Sequence, residues 1–237
     1  TPLKSFPKKT TRTHVGRGRP INRPCLEKEL LIIPCSGRKH LEPGANESGR
    51  SILDDLPGPI STQLREARLA IRERAAINES TLIPAWKRYT GTLYEIARPA
   101  LEAALKTRSH ILILSGGYGV LRVDEPIGTY EAVFKASWWP RHLIESVLCA
   151  YVKRYALKSV TAFLSATTAY RSVVERTPWQ EAGVDSCMIF MPEEQPGAMV
   201  KAPRAQGEAF DAYTRGNLAT DWKSSDGLKM NCQILVG

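Results

Sequence analysis

No stretch of this sequence approaches the ~20 continuous apolar residues of a bilayer-spanning helix, so no membrane partner is expected. The first residues also lack the apolar region of a secretory signal, and a cytoplasmic location is the expectation. Cysteine is sparse. Cys25, Cys35, Cys149, Cys187 and Cys232 are scattered, odd in number and contain no CxxC pair. That argues against a disulfide framework and a structural zinc site, and predicts reduced thiols. His14, His40, His110 and His142 show no ligand spacing, so neither a metal nor another cofactor is expected. A Walker loop is missing, because no GK[ST] closes a glycine-rich spacing. No GxGxxG is complete either, since Arg122 stands three positions after Gly119.

Acid is absent from one place in particular. Residues 1–24 carry seven Lys or Arg, among them Arg17 and Arg19, and no Asp or Glu, which leaves the rest of the chain with +2 of its +9 net charge. Rich in Pro, Gly and Thr and without apolar periodicity, this arm reads as a disordered segment that neutralises the phosphates of a polyanion. Residues 25–237 are long and apolar enough to bury one core as a single domain.

That domain alternates strand and helix signals. Apolar runs at 29–37 (ELLIIPCSG), 110–117 (HILILSGG), 159–168 (SVTAFLSATT) and 187–194 (CMIFMPEE) read as buried strands. Between them, STQLREARLAIRERAA places Leu64, Ala67 and Ile71 on one helical face and Arg65, Arg68 and Arg72 on another. Segments 93–105 and 141–155 show the same period. The fold class is therefore α/β, a largely parallel central sheet flanked by helices. Ligands of such sheets bind outside the carboxyl ends of the strands. Here those ends read PCSG, SGG, SATT and PEEQPG, small and polar enough to share a pocket, with Cys35, Ser36, Ser115 and Gly116 in it.

The second strand runs into LSGGYGVLRVDEPIGTY, residues 114–130. Gly116, Gly117 and Gly119 turn the chain. Asp124 or Glu125 then suits the positioning of a water, while Tyr118 and Tyr130 suit stacking on a base or sugar. The alternative is a structural Arg122–Asp124 ion pair with both tyrosines in the core.

Four motifs in order, IPCSGRKH, AWKRYTGTLYEIA, LSGGYGVLRVDEPIGTYE and KAPRAQGEAFDAY, resemble those of the YaaA-like peroxide-stress proteins over roughly residues 29–217. The resemblance implies a core similar to uracil-DNA-glycosylase-like folds, DNA as partner, and a helix-hairpin-helix element. That element matches residues 50–76, with Leu56, Pro57 and Gly58 as the hairpin and Arg65, Arg68 and Arg72 facing DNA; the usual second hairpin glycine is absent. The resemblance also implies site roles for Cys35, Ser36, Lys39, Tyr89, Gly91, Tyr94, Ser115, Gly119, Leu121, Tyr130 and either Asp124 or Glu125. From the last motif it implies Lys201, Arg204, Gln206 and Glu208, which hold a phosphate or close the pocket. Trp138, Trp139 and Trp179 lie outside the shared pattern and suit handling of an unpaired base.

The function expected from this reading is a DNA glycosylase that flips a modified base, as in modified phage DNA, and hydrolyses its N-glycosidic bond. Asp124 or Glu125 orients water, Lys39 with the Ser36 and Ser115 hydroxyls serves the departing base, and Tyr118 and Tyr130 form the walls. Two alternatives stand beside it. One is a non-enzymatic DNA-binding stress protein. The other is a tRNA-modifying or nucleobase-exchanging transferase, since archaeosine-type enzymes carry a similar PCS…K motif.

Overall fold

The computed structural model describes residues 28–41, 46–194 and 197–237, so the basic arm with Arg17 and Arg19 lies outside the described residues. Strand β1 (Glu29–Pro34) is buried on both faces. It pairs in parallel with β3 (His110–Ser115) on one side and β6 (Ser159–Phe163) on the other; β7 (Ser186–Pro192) continues the parallel set. Two antiparallel strands, β4 (Gly119–Arg122) and β8 (Met230–Val236), close the edges to give the order β4-β3-β1-β6-β7-β8. The predicted α/β class and largely parallel sheet are what the chain builds.

Alternation along the strands feeds two separate cores. Leu30, Ile32, Leu112, Leu114, Val160 and Ile189 face α1 (Gly58–Ile71), α4 (Leu143–Tyr155) and α5 (Ala169–Arg176). Leu31, Ile33, Ile111, Ile113, Phe163 and Phe190 face α3 (Thr92–Lys106) and α6 (Ala198–Thr214). A period of two on the strands meets a period near 3.6 on the helices, and both sheet faces become dry. Gly207 lets α6 press onto α3, because a Cβ there would come within 2.8 Å of the Leu93 carbonyl oxygen.

A second, two-stranded sheet joins β2 (Asn78–Pro84) to β5 (Pro126–Thr129), with the short helix α2 (Ala85–Arg88) beside them. Neither its strands nor β4 and β8 was anticipated from the sequence. These strands are short or half-exposed, and no long apolar run marks them.

The expected helix before the hairpin is a single 3-10 turn, Ile52–Asp55, capped by Ser51, and Gly58 is the first residue of α1. Leu64, Ala67 and Ile71 do form the buried face of α1. Arg68 departs from the expected exposed stripe and turns inward, as described below. Of the tryptophans, Trp139 and Trp179 are core residues and Trp138 is half-buried. Among the described residues no helix is long and apolar enough to cross a membrane.

Candidate functional site

From β1 the chain goes on to β3 on one side, and from β6 it goes on to β7 on the other, so β1 and β6 are neighbours whose connections part. A crevice opens at the carboxyl ends of such a pair. In this protein it is a cleft of about 420 Å³ lined by Cys35, Ser36 and Arg38 just after β1, Ser165 and Thr168 after β6, Tyr170 from α5, and Gln206 from α6. That volume suits a nucleobase or nucleoside. Gly91 gives Ser36 room, since a Cβ at 91 would collide with the Ser36 hydroxyl. A larger cavity, about 800 Å³, lies elsewhere, between the start of α1 and α4. Its buried acids, Asp55 and Glu145, are already held in ion pairs with arginines, so the strand-end cleft is the better chemical site.

A hydroxyl chain lies behind the cleft. The Tyr89 and Tyr130 hydroxyls are 2.8 Å apart, and the Ser115 hydroxyl reaches Tyr130 at 3.0 Å. Cys35 Sγ meets the Tyr170 hydroxyl at 3.0 Å, and Tyr94 donates to the Pro34 carbonyl at 2.8 Å. Burial raises the Tyr89 and Tyr130 phenols well above their ordinary range, so both hold their protons at neutral pH. Lys39 adjoins this chain with Nζ 4.0 Å from the Tyr130 ring centre. Burial lowers its pKa, opposed by the negative potential of Cys35 and of Glu131. A half-buried amine with a reduced proton affinity, held over an aromatic face, is poised for nucleophilic or base chemistry.

The glycine loop supports the wall without lining the cleft. A Cβ at Gly116 would strike the Ala132 carbonyl, and one at Gly117 would sit 2.7 Å from the Tyr130 ring. Gly119 adopts φ +74°, a conformation that glycine holds without strain. Tyr118 is buried, donates its hydroxyl to Glu79 at 3.2 Å and accepts from the Gly128 amide at 3.1 Å. It therefore braces β5 and is not a free stacking face.

The structure separates the two acids from this cleft. Because β4 runs antiparallel to β3, Arg122 pairs with Leu112, and Asp124 and Glu125 arrive near the opposite end of β3 from Ser115. Glu125 is buried and accepts from Ser51 Oγ (2.7 Å), the Ile52 amide (3.0 Å), the Arg122 amide (3.2 Å) and Arg68 Nη1 (2.9 Å). Arg68 also donates to the Tyr118 and Val120 carbonyls at 2.9 and 2.7 Å. This is an internal clasp that ties α1 and the 3-10 turn to β4. It takes Glu125 out of the water-activating role and Arg68 out of the DNA-facing set. Asp124 forms a two-point ion pair with Arg122 at 2.9 and 3.1 Å, the structural alternative of the sequence reading.

Of the remaining expected residues, Arg72 pairs with Glu79 at 2.6 Å and Arg65 is exposed on α1. Gly58 has open space around it. Arg204 pairs with Glu208 and Asp226 at 3.6 and 3.4 Å, while its neighbours Pro203 and Gln206 reach the cleft. Two residues escaped sequence reading. Glu131, directly after Tyr130, is the carboxylate whose field reaches Lys39. Tyr170, five residues after Ser165, closes over Cys35. The adjacency of Glu131 to the tyrosine motif was a usable signal for the first; nothing local marked the second. Among the described residues no group of three His, Cys, Asp or Glu is placed to hold a metal. Comparison with protein-family models and with curated proteins gives no match.

Proposed function

We propose that the protein is a DNA N-glycosylase whose reactive group is Lys39. The observation that carries this reading is the placement of Lys39 Nζ, lowered in pKa by burial, over Tyr130 beside a nucleobase-sized cleft at the strand ends. DNA as the partner rests on the basic arm and on the resemblance to the YaaA-like proteins. The base must leave the stack to enter the cleft.

In this mechanism the neutral Lys39 amine attacks C1′ of the deoxyribose. The C1′–N bond breaks, its electron pair leaves with the base, and the base takes a proton from solvent through the cleft hydroxyls. One amine proton passes to O4′ as the sugar ring opens, leaving a protonated Schiff base between Lys39 and C1′. Water then adds to C1′, the C1′–Nζ bond breaks, and the free amine returns with release of one proton. Tyr89 and Tyr130 remain protonated throughout and act as hydrogen-bond groups only.

The test is incubation with DNAs carrying uracil, hydroxymethylcytosine or glucosylated hydroxymethylcytosine, with mass spectrometry of released bases and borohydride trapping. Release that disappears with Lys39→Met, together with a wild-type adduct at Lys39, is the expected result. Release without an adduct would replace the covalent step by attack of water. No release from any DNA, with salt-sensitive binding retained, would leave a DNA-binding protein without this chemistry. An adduct on a free nucleobase rather than a sugar would favour the transferase.

A further inference from the structure

Two cations converge on one tryptophan, four residues after Phe134, whose ring packs on the cleft residue Tyr170. Arg74 lies in the turns that follow α1, and Lys135 lies in the loop between β5 and α4; both are exposed. The Arg74 guanidinium is 5.3 Å and the Lys135 ammonium 5.1 Å from the centre of the Trp138 ring. The loop reaches this position because the Glu131 amide donates to the Ala75 carbonyl at 2.8 Å, stitching it to the end of α1. Trp138 is half-buried and packs on the core between α1 and α4, so the ring is a fixed platform.

Their charges are unspent. Arg38, Arg72, Arg171, Arg176 and Arg204 each form an ion pair, whereas among the described residues neither Arg74 nor Lys135 has a carboxylate within ion-pair distance. A cation lying on an indole keeps its full charge and loses side-chain freedom before any ligand arrives. The position is equally specific. Phe134, the residue before Lys135, packs its ring 4.9 Å from that of Tyr170, and Tyr170 holds Cys35 at the cleft.

We infer that Arg74 and Lys135, ordered by Trp138, form a clamp for backbone phosphates of the DNA strand whose base occupies the cleft. The inference rests on the DNA reading above and adds the residues that hold the strand. Two cations held on one rigid ring suit backbone phosphates, whose contacts fix register without reading sequence.

The experiment uses the full chain and a short labelled DNA duplex without modified bases, with binding constants measured across a salt series. Arg74→Ala and Lys135→Ala are each expected to reduce the slope of log K against log salt by about 1, and the double variant by about 2. Arg74→Lys and Lys135→Arg should restore the slope. Both positions are exposed, so thermal melting should be unchanged. A wild-type slope in the double variant overturns the clamp. An equal loss of slope on an RNA duplex, with tighter RNA binding throughout, overturns DNA as its occupant. Base release and Lys39 trapping are read in the same proteins. A reduced slope in proteins that release no base keeps the clamp and fails the glycosylase; base release with an unchanged slope does the reverse.

Discussion

Arg68 separates two accounts of helix α1, and its replacement by Met puts a number on the difference. In the structure its guanidinium bonds Glu125 at 2.9 Å and the Tyr118 and Val120 carbonyls at 2.9 and 2.7 Å. The pair is largely buried, with side-chain exposures of 13% for Arg68 and 4% for Glu125. Removing one partner of a buried pair costs about 3–5 kcal/mol, because the other charge is left uncompensated. Glu125 would keep its bonds from Ser51, Ile52 and Arg122, which places Arg68→Met near the lower end, about 3 kcal/mol. For a chain of this size that is a fall in Tm of roughly 6–12 °C. Glu125→Gln keeps the shape but turns one accepting oxygen into an NH2 group that faces other donors, so it should cost about 1–3 kcal/mol. Urea unfolding of both variants, beside the DNA salt series, checks the argument. An Arg68→Met protein that melts with the wild type but shows a salt slope smaller by about 1 would make Arg68 a phosphate ligand and refute the clasp. A stable Glu125→Gln protein without turnover would return Glu125 to the chemistry.

Base release should rise with pH along a limb set by Lys39 losing its proton, because attack needs the neutral amine. Glu131 raises the pKa of Lys39, so Glu131→Gln should move that limb to lower pH; a limb that stays in place would show that another group titrates. Gly117→Ala places a methyl 2.7 Å from the Tyr130 ring and should destabilise by about 1–3 kcal/mol, read by thermal melting. Burial pushes the Cys187 thiol up to about 12, so in the folded protein it should resist alkylation while exposed Cys232 reacts, as mass mapping of labelled peptides would show.

Sequence alone determined the elements whose signal is local and periodic. Continuous apolar runs marked β1, β3, β6 and β7, since a strand covered on both faces has no polar alternation to disguise it. The period of Leu64, Ala67 and Ile71 marked the buried face of α1, and the small polar end of β1 marked where Cys35 and Ser36 line the cleft, whereas Ser115 is fully buried behind it. Periodicity also set Arg68 on the wrong side, because a long arginine stem bends from an apparently exposed position into a neighbouring turn.

Tertiary structure decided the rest. Asp124 and Glu125 follow a glycine loop at a strand end, which in sequence reads as catalytic. The antiparallel return of β4 carries them along the sheet to the other end of β3, and that reversal depends on which strand β4 pairs with. Tyr170, in the first turn of α5, meets Cys35, and Glu131, in the loop after β5, acts on Lys39, only through tertiary packing. The Trp138 platform brings together Arg74 and Lys135, which four strands and two helices separate along the chain. Local chemistry sets what each side chain is able to do; the order and direction of strand pairing set which of them meet.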